Sequence, residues 1–211
     1  MAKQKTANAV EKGEKKGSKR KLIVAAAQLF KTSGYDKTTV RDIANAVGIT
    51  SGSIFYYFDS KEDLLEAVIL YGISAGLEII VAELEKKSTP TSRFHALVYA
   101  HLLALHGEPG NAHEVSSREW SRLPNDARAR LKGLHERYRV IWTQELNALK
   151  DAEVLVGDEE MCRRIMVPAL NWSSTWLNSK TKKVFEDIAD NMCAGVLNIS
   201  KQEFHSMRKA A

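Results

Sequence analysis

Residues 38–58 read TTVRDIANAVGITSGSIFYYF, and this stretch decides the fold. Thr39 and Asp42 stand three residues apart, the spacing at which two side chains cap a helix by bonding each other's backbone N–H groups. Apolar side chains then recur at helical spacing as far as Val47. Gly48 follows where a helix end needs a left-handed residue, and Thr50 can cap a second helix. The stretch therefore predicts two short helices around a glycine turn.

The second predicted helix has one apolar face and one polar face. Ile54 and Phe58 are four residues apart and are expected to point to the core. Paired helices of this kind form the helix-turn-helix, in which the second helix enters the major groove of DNA. Small side chains allow the backbone to approach closely, and hydroxyls can bond base edges or phosphates. The residues left facing outward are Ser51, Gly52, Ser53, Tyr56 and Tyr57.

Two structural alternatives remain open for this stretch. It is also compatible with a plain helical hairpin whose tyrosines are packing residues, since such motifs have false positives. Either tyrosine can also have a half-buried ring with only its hydroxyl exposed. Directly afterwards, Ser60 and Asp63 predict a second reciprocal cap. Lys61 lies in the first turn of the next helix, where free amides and a positive charge suit a phosphate.

The same region resembles the DNA-binding domain of TetR-family transcriptional regulators over residues 18 to about 70. The resemblance implies that Thr39 and Arg41 contact DNA from the supporting helix. It places Thr50, Ser51, Gly52, Ser53, Tyr56 and Tyr57 on the recognition helix and matches Lys61 to a phosphate-binding lysine. Phe55 stands where many members have tyrosine. The segments that carry the resemblance are Ala26-Ala27-Gln28-Leu29-Phe30, Gly34-Tyr35, Thr38-Thr39-Val40, Asp42-Ile43-Ala44, Val47-Gly48-Ile49, Ser51-Gly52-Ser53, Tyr56-Tyr57-Phe58 and Ser60-Lys61-Glu62-Asp63-Leu64-Leu65.

The positive charge of the chain is concentrated at its start. Residues 1–21 hold eight basic and two acidic residues, whereas the whole 211-residue chain has a net charge of +5. We expect residues 1–17 to form a basic arm that is disordered without DNA and that helps to bind it. A flexible tail that only adds solubility is the alternative. Cys162 and Cys193 suggest no disulfide framework, and no apolar run approaches the length of a membrane span. We therefore expect a cytoplasmic protein that does not enter a membrane.

The rest of the chain predicts further helices, so the expected fold is all-α. Residues 18–64 form a three-helix DNA-binding domain, and residues 65–203 form a helical domain for ligand binding and dimerisation. Pro90 is expected at the first position of a helix, where its missing N–H costs nothing, and Pro168 is expected to kink another. The predicted helices after the first domain cover about 61–87, 91–106, 112–120, 124–149, 158–177 and 181–199, with a polar tail beyond them.

The second domain is expected to dimerise and to bind a small molecule. Two copies of a helix-turn-helix read a palindrome, so the helices from 158 and 181 are candidates for a four-helix dimer interface; closing the monomer core is the alternative. A large apolar pocket with a few polar groups is the usual ligand site. For each pocket aromatic, plain core packing remains the alternative, and no metal site or cofactor is expected. The candidate pocket residues are Tyr99, His101, Trp120, Tyr138, Trp142, Asn171, Trp172 and Trp176.

The second domain is also similar to TetR-family members that respond to acyl-coenzyme A thioesters in lipid or sterol breakdown. The similarity lies in residues 118–124, the spacing of Tyr138, Trp142 and Leu146, and residues 171–176. It implies an acyl-coenzyme A-like effector, whose phosphates Arg118, Arg122 and Lys180 can meet. Residues 177–180 read LNSK, where members often have Arg-Pro-Gly-Gly.

These patterns predict a sequence-specific DNA-binding regulator, a repressor released from a palindromic operator by its ligand. Two other classes stay open. One is an architectural protein that binds DNA without sequence preference through its basic arm. The other is an enzyme with an appended DNA-binding domain, although the sequence has no glycine-rich phosphate loop, nucleophile elbow or paired metal-ligand motif.

Overall fold

The computed structural model describes the backbone of residues 2–209 and the side chains of residues 17–208. Across these residues the secondary structure is helical, with no strand, so the all-α prediction is confirmed. The helices in chain order are α1 (Ala2–Ser33), α2 (Val40–Val47), α3 (Ser51–Ile54), α4 (Lys61–Leu84), α5 (Pro90–His106), α6 (Gly110–Glu119), a 3-10 turn (Trp120–Arg122), α7 (Asn125–Asp151), α8 (Glu159–Trp176), α9 (Lys182–Leu197) and α10 (Lys201–Lys209).

Helix α1 begins at Ala2, earlier than the predicted start near Ser18. Its backbone is helical through the segment for which the sequence predicts a disordered arm. Lysine, glutamate and alanine dominate that segment, and all three favour helix, whereas glycine at 13 and 17 weakens it. Met1 lies outside the described residues, and the disorder of the arm without DNA stays a prediction.

The helices pack around two hydrophobic cores. The first joins α1, α2, α3, the first half of α4, α6 and the start of α7, and it includes Phe30, Ile43 and Ile54. The second joins the end of α4, α5, the end of α7, α8, α9 and α10, and it is built around Phe94 and Trp142. Helix α4 contributes to both, so the first core continues past the predicted domain boundary at residue 64.

Helix α4 is more apolar than the sequence analysis expected. By length and composition it could cross a membrane, contrary to the expectation that no apolar run approaches that length. Ten of its residues are buried inside the protein, because it packs against both cores. Gly72 lies so close to α6 that a Cβ atom there would stand 2.5 Å from the carbonyl carbon of Ala112. Burial within the fold explains the composition of α4.

Helix α10 covers residues that the sequence predicts only as a polar tail. In α10, Phe204 is fully buried against α5 and α9. Arg208 donates from Nε to Asp190 Oδ1 over 2.7 Å, and His205 Nδ1 lies 3.2 Å from Asp190 Oδ2. The helical domain therefore extends beyond the predicted end at residue 203. One aromatic side chain and one buried carboxylate hold α10 in place.

Candidate nucleic-acid interface and ligand cavity

Helix α2 is capped as its sequence predicts. The Thr39 backbone N–H donates to Asp42 Oδ2 over 2.8 Å, and the Asp42 N–H donates to Thr39 Oγ1 over 3.1 Å. These two bonds satisfy backbone donors that a helix start would otherwise leave unpaired. At the other end, Gly48 has a φ of 74°, the left-handed conformation that glycine adopts at little cost. The first helix of the motif and its turn are thus confirmed.

The second helix of the motif is shorter than predicted. Helix α3 covers only Ser51–Ile54, and a hydrogen-bonded turn carries the chain on to Phe58. Thr50 caps α3 by accepting from the Ser53 N–H over 3.3 Å. Ile54 is buried in the first core, which fixes the orientation of the helix against α1, α2 and α4.

The residues predicted to meet DNA are all at least partly exposed. Tyr56 is 64% exposed, whereas Tyr57 is half-buried against the first core, as one of the alternatives foresaw. Phe55 is also exposed, with 53% of its surface open. The other predicted residues lie on the supporting helix, on the recognition helix and at the start of α4. Thr39, Arg41, Thr50, Gly52 and Ser53 are exposed, whereas Ser51 and Lys61 are partly buried.

Lys61 is held at the start of α4 by a contact that the sequence does not reveal. Its Nζ donates to the carbonyl oxygen of Tyr35 over 2.6 Å and lies 4.1 Å from the centre of the Tyr35 ring. A lysine ammonium has three donors, so two stay available for a phosphate. The cap of α4 is only half of the predicted pair. The Asp63 N–H donates to Ser60 Oγ over 3.0 Å, but the structure gives no return bond from the Asp63 side chain to Ser60.

Tyr35 also connects the DNA-binding helices to the rest of the protein. Its hydroxyl donates to Glu62 Oε1 over 3.1 Å, and burial raises the pKa of this phenol. Arg122, just before α7, forms two hydrogen bonds to Asp36 of 2.9 and 2.7 Å and lies 5.7 Å from the Tyr35 ring. Paired arginine–carboxylate bonds of this kind fix geometry well.

A cavity of about 360 Å³ lies between α4, α5, α6, α7 and α8. Its size is within the usual range of small-molecule sites. Among the described residues, no three histidine, cysteine or carboxylate side chains are placed to hold a metal ion. The lining residues are Ile73, Gly76, Ile80, His101, Ala104, His113, Ser116, Ser117, Lys132, His135, Glu136, Tyr138, Arg139, Arg163, Val167 and Asn171.

Of the eight predicted pocket residues, His101, Tyr138 and Asn171 line this cavity. Trp142 is fully buried behind them, with its ring 6.0 Å from that of His101. The remaining four do not line it. Tyr99 stacks on His95, Trp120 packs its ring 3.9 Å from His135, and Trp172 and Trp176 are 68% and 51% exposed on α8.

The inner part of the cavity is polar and buried. His101 Nε2 lies 3.0 Å from Asn171 Oδ1, and the Tyr138 hydroxyl contacts His101 Nδ1. Because a carbonyl oxygen only accepts, His101 donates from Nε2 and accepts from Tyr138 at Nδ1. Burial lowers the pKa of His101 to about 3 and also lowers the pKa of His113, so both rings are neutral near pH 7.

The outer part of the cavity is charged. Arg139 pairs with Glu136 through hydrogen bonds of 3.0 and 2.5 Å, and Arg163 pairs with Glu160 through bonds of 2.9 and 2.7 Å. Lys132 lies beside them on α7. These residues were not predicted from the sequence, although Lys132, His135, Glu136 and Arg139 are spaced three or four residues apart and so share one helix face.

The three basic residues predicted to meet coenzyme A phosphates lie elsewhere. Arg118 pairs with Glu114 over 3.1 Å, and Arg122 with Asp36 as described. Neither these two nor Lys180 lines the cavity.

Apolar side chains are exposed along α8. Met161 and Ile165 are 55% and 62% exposed, and Trp172 and Trp176 follow on the same helix. Together with the partly exposed Val184, Ile188, Met192 and Val196 of α9, they form a set of unburied apolar residues on the two helices predicted to dimerise.

Comparison with known proteins identifies both halves of the chain. Residues 22–68 match the family described as bacterial regulatory proteins, tetR family. Residues 87–199 match the tetracyclin repressor-like C-terminal domain. The second match alone covers more than half of the 211 residues.

The chain is also similar to individual proteins and solved structures. The transcriptional repressor KstR2 of Rhodococcus jostii is 32% identical over 143 residues, a match covering 64% of this chain and 66% of the repressor, or just under two thirds of its length. The crystal structure of superantigen PfiT is 37% identical with a TM-score of 0.70, covering 84% of this chain and 95% of that one. The structure of AibR with isovaleryl coenzyme A and operator DNA shares the fold at 20% identity, with a TM-score of 0.76 and coverage of 86% and 99%. The chain belongs to the TetR family of bacterial regulatory proteins.

Proposed function

We propose that this protein is a cytoplasmic transcriptional repressor that binds a palindromic DNA operator as a homodimer and leaves it when a small molecule occupies the cavity. The observation that carries the proposal is the exposed polar surface of residues 50–57, held in place by Ile54 beneath it. A surface of small hydroxyl-bearing residues, a glycine and an exposed tyrosine suits a DNA groove.

Helix α6 gives a physical route from the cavity to the DNA-binding helices. Its His113 and Ser116 line the cavity. On its other sides, the backbone of Ala112 lies against Gly72 of α4, and Glu114 pairs with Lys31 of α1 over 2.8 Å. A ligand that displaces α6 would therefore move α1 and α4 with it. Half-sites lie about 34 Å apart per helical turn, so a shift of a few ångströms can spoil the fit of a dimer.

We propose an acyl-coenzyme A-like effector. The charged outer part of the cavity can meet phosphates, and the inner part can hold an acyl group. AibR, a structural neighbour, is described with isovaleryl coenzyme A bound. The relative named KstR2 is described as a transcriptional repressor, which supports repression but does not bear on the effector.

A gel-shift assay on the DNA upstream of the gene for this protein tests the proposal. We expect a discrete complex that survives excess random DNA and dissociates as acyl-coenzyme A thioesters are added. A complex that no small molecule dissociates would contradict the ligand-responsive part. Equal affinity for random DNA with a steep salt dependence would instead support the architectural alternative.

Catalysis is not part of the proposal. His101 is locked between Asn171 and Tyr138 by hydrogen bonds at both ring nitrogens, so neither nitrogen is free to act as a general base. Incubating the protein with acyl-coenzyme A thioesters and measuring free thiol checks this, and we expect no release above the rate without protein.

A further inference from the structure

We propose that the cavity selects an organic anion whose apolar body carries a hydrogen-bonding oxygen at the end far from the anionic group. This rests on the proposed function in one respect, that the cavity is the effector site. It adds the chemistry that the two ends of the ligand must have, which would exclude a plain aliphatic chain.

The buried end of the cavity has a polar group without a partner. His113 is only 9% exposed, and among the described residues its Nδ1 has no hydrogen-bond partner of normal geometry, although the nearby Asn171 side chain opposes the fall in the pKa of the ring. Leaving such a group unpaired in the interior costs free energy, which a ligand oxygen would recover. His101 cannot serve in the same way, because Asn171 and Tyr138 already occupy its two ring nitrogens.

Position 76, next to His113, lacks a side chain. A Cβ atom built on Gly76 would stand 3.6 Å from His113 Nδ1 and 3.7 Å from the Cβ of Ala104, both ordinary contact distances. Gly76 and Ala104 both line the cavity. The unpaired nitrogen therefore lies at the part of the cavity wall that Gly76 and Ala104 form, where only small groups cover it.

Apolar residues line the cavity as well, and most of them are more buried than the charged residues of its outer part. Ile73, Ile80 and Val167 can contact a hydrocarbon body. On the outer part, the side chains of Arg139 and Glu136 are 47% and 51% exposed.

The charge of this outer part favours an anion. Lys132, Arg139 and Arg163 face Glu136, and Glu160 neutralises part of the charge of Arg163. Within the part of the chain that the structure describes, Lys132 forms no ion pair of its own, so a net positive charge remains. A carboxylate and the phosphates of a coenzyme A thioester are the two sources of negative charge to be distinguished.

Calorimetric titration of the full-length protein without DNA tests the proposal directly. The probes are decanoate, ω-hydroxydecanoate, the uncharged decane-1,10-diol and the coenzyme A thioesters of both acids. We expect ω-hydroxydecanoate to bind about tenfold more tightly than decanoate, which lacks the far hydroxyl, and also more tightly than decane-1,10-diol, which lacks the charge. The preference for the hydroxylated probe should also hold between the two thioesters. If the thioesters bind more tightly than the free acids, the outer part of the cavity recognises phosphate; if they bind more weakly, it recognises carboxylate.

Variants test which residues contact the two ends of the ligand. His113→Phe should reduce the hydroxyl preference to about twofold or less, and His113→Gln should retain part of it. Gly76→Ala places a methyl group beside His113 without a clash and should also reduce the hydroxyl preference. It tests the same contact if His113→Phe fails to fold. Lys132→Gln should weaken all anionic probes alike, whereas the matched exposed change Lys183→Gln should leave them unchanged.

Equal affinity for decanoate and ω-hydroxydecanoate would overturn the proposal, as would equal affinity for decane-1,10-diol and ω-hydroxydecanoate, or no binding of any probe. Since DNA is absent from the titration, these outcomes are independent of whether the protein is a repressor. Conversely, a failed gel shift would leave the binding result standing.

Discussion

At the scale of single residues, Lys61 shows how a charged side chain is prepared for a partner. Its ammonium is positioned by the carbonyl oxygen and the ring of Tyr35, and Tyr35 is itself buried and bonded to Glu62. A lysine held in this way loses less side-chain entropy when it contacts a phosphate than a freely rotating lysine would. The position of the charge at the start of α4 was predictable from sequence. Its attachment to Tyr35 was not, since the two residues are 26 positions apart.

We predict that Lys61→Ala weakens binding to every DNA sequence by a similar factor. A phosphate contact carries no sequence information, so its loss should lower the slope of log affinity against log salt by about one. Fluorescence anisotropy with operator and random duplexes across a salt series measures both quantities. Tyr57→Phe removes only a hydroxyl and should leave the salt slope unchanged. A Lys61→Ala protein with an unaltered salt slope would show that the lysine does not touch the DNA backbone.

At the scale of helices, the elements that sequence predicts well are those with local signals. The caps of α2 and α3 depend on residues that are three positions apart, and the turn between the two helices depends on Gly48. Both features could therefore be predicted from a few neighbouring residues. Helix α10 was missed because its stability comes from distant contacts. Among its described side chains Phe204 alone is fully buried, and the partner of Arg208 is Asp190 on α9.

The cavity was partly predictable from the types of residue in the helices that surround it. His101, Tyr138 and Asn171 were identified from aromatic and polar residues in apolar helices, and they do line it. Trp172 and Trp176 match that composition too, yet they lie on the outer side of α8. Composition shows that a helix has aromatic residues, but only the packing of several helices decides which side faces a cavity.

We predict that Phe204→Ala destabilises the protein by about 3–5 kcal/mol, the usual cost of removing a large buried aromatic side chain. The loss should appear in the free energy of unfolding measured by urea denaturation with circular dichroism. Phe55→Ala is the matched control, since the same atoms are removed from a site that is 53% exposed. It should change stability by less than about 1 kcal/mol. A loss below about 1 kcal/mol for Phe204→Ala as well would mean that α10 contributes little to the fold.

At the scale of the whole molecule, burial of histidine makes the fold sensitive to acid. Burial lowers the pKa of His101 to about 3 and that of His95 to about 4, and for His95 Arg208 adds to the effect while Asp190 opposes it. Their unfolded values lie near 6.5. Below that pH the unfolded chain binds protons that the folded protein does not, so stability is full above pH 6.5 and falls as the pH drops toward 4.

We predict a marked loss of stability between pH 7 and pH 5, to which His101 alone contributes about 2 kcal/mol at pH 5. Urea denaturation at both pH values measures it. His101→Gln should be less stable at pH 7, because its bonds to Asn171 and Tyr138 change, but it should lose about 2 kcal/mol less on acidification. If the variant and the natural protein lose the same amount, another group titrates in place of His101.

The exposed apolar residues of α8 and α9 bear on how two copies of the molecule associate. Met161, Ile165, Trp172 and Trp176 are each more than half exposed on α8. Adjacent exposed apolar side chains on a helix are costly in water and commonly mark an association surface. A repressor that reads a palindrome needs its two recognition helices held at a fixed separation, and a dimer joined through these helices would supply it.

We predict that Trp172→Glu converts the protein to a monomer and lowers operator affinity at least tenfold, because a charge at the centre of an apolar interface must lose its hydration when the dimer forms. Light scattering after size-exclusion chromatography at micromolar concentration measures the mass, and anisotropy measures the affinity. Val156→Glu is the control, since Val156 is 82% exposed but lies in the loop before α8. It should stay dimeric and bind DNA normally. A Trp172→Glu protein that keeps both the dimer mass and the affinity would place the interface on another surface, and the exposed tryptophans would then need a different partner.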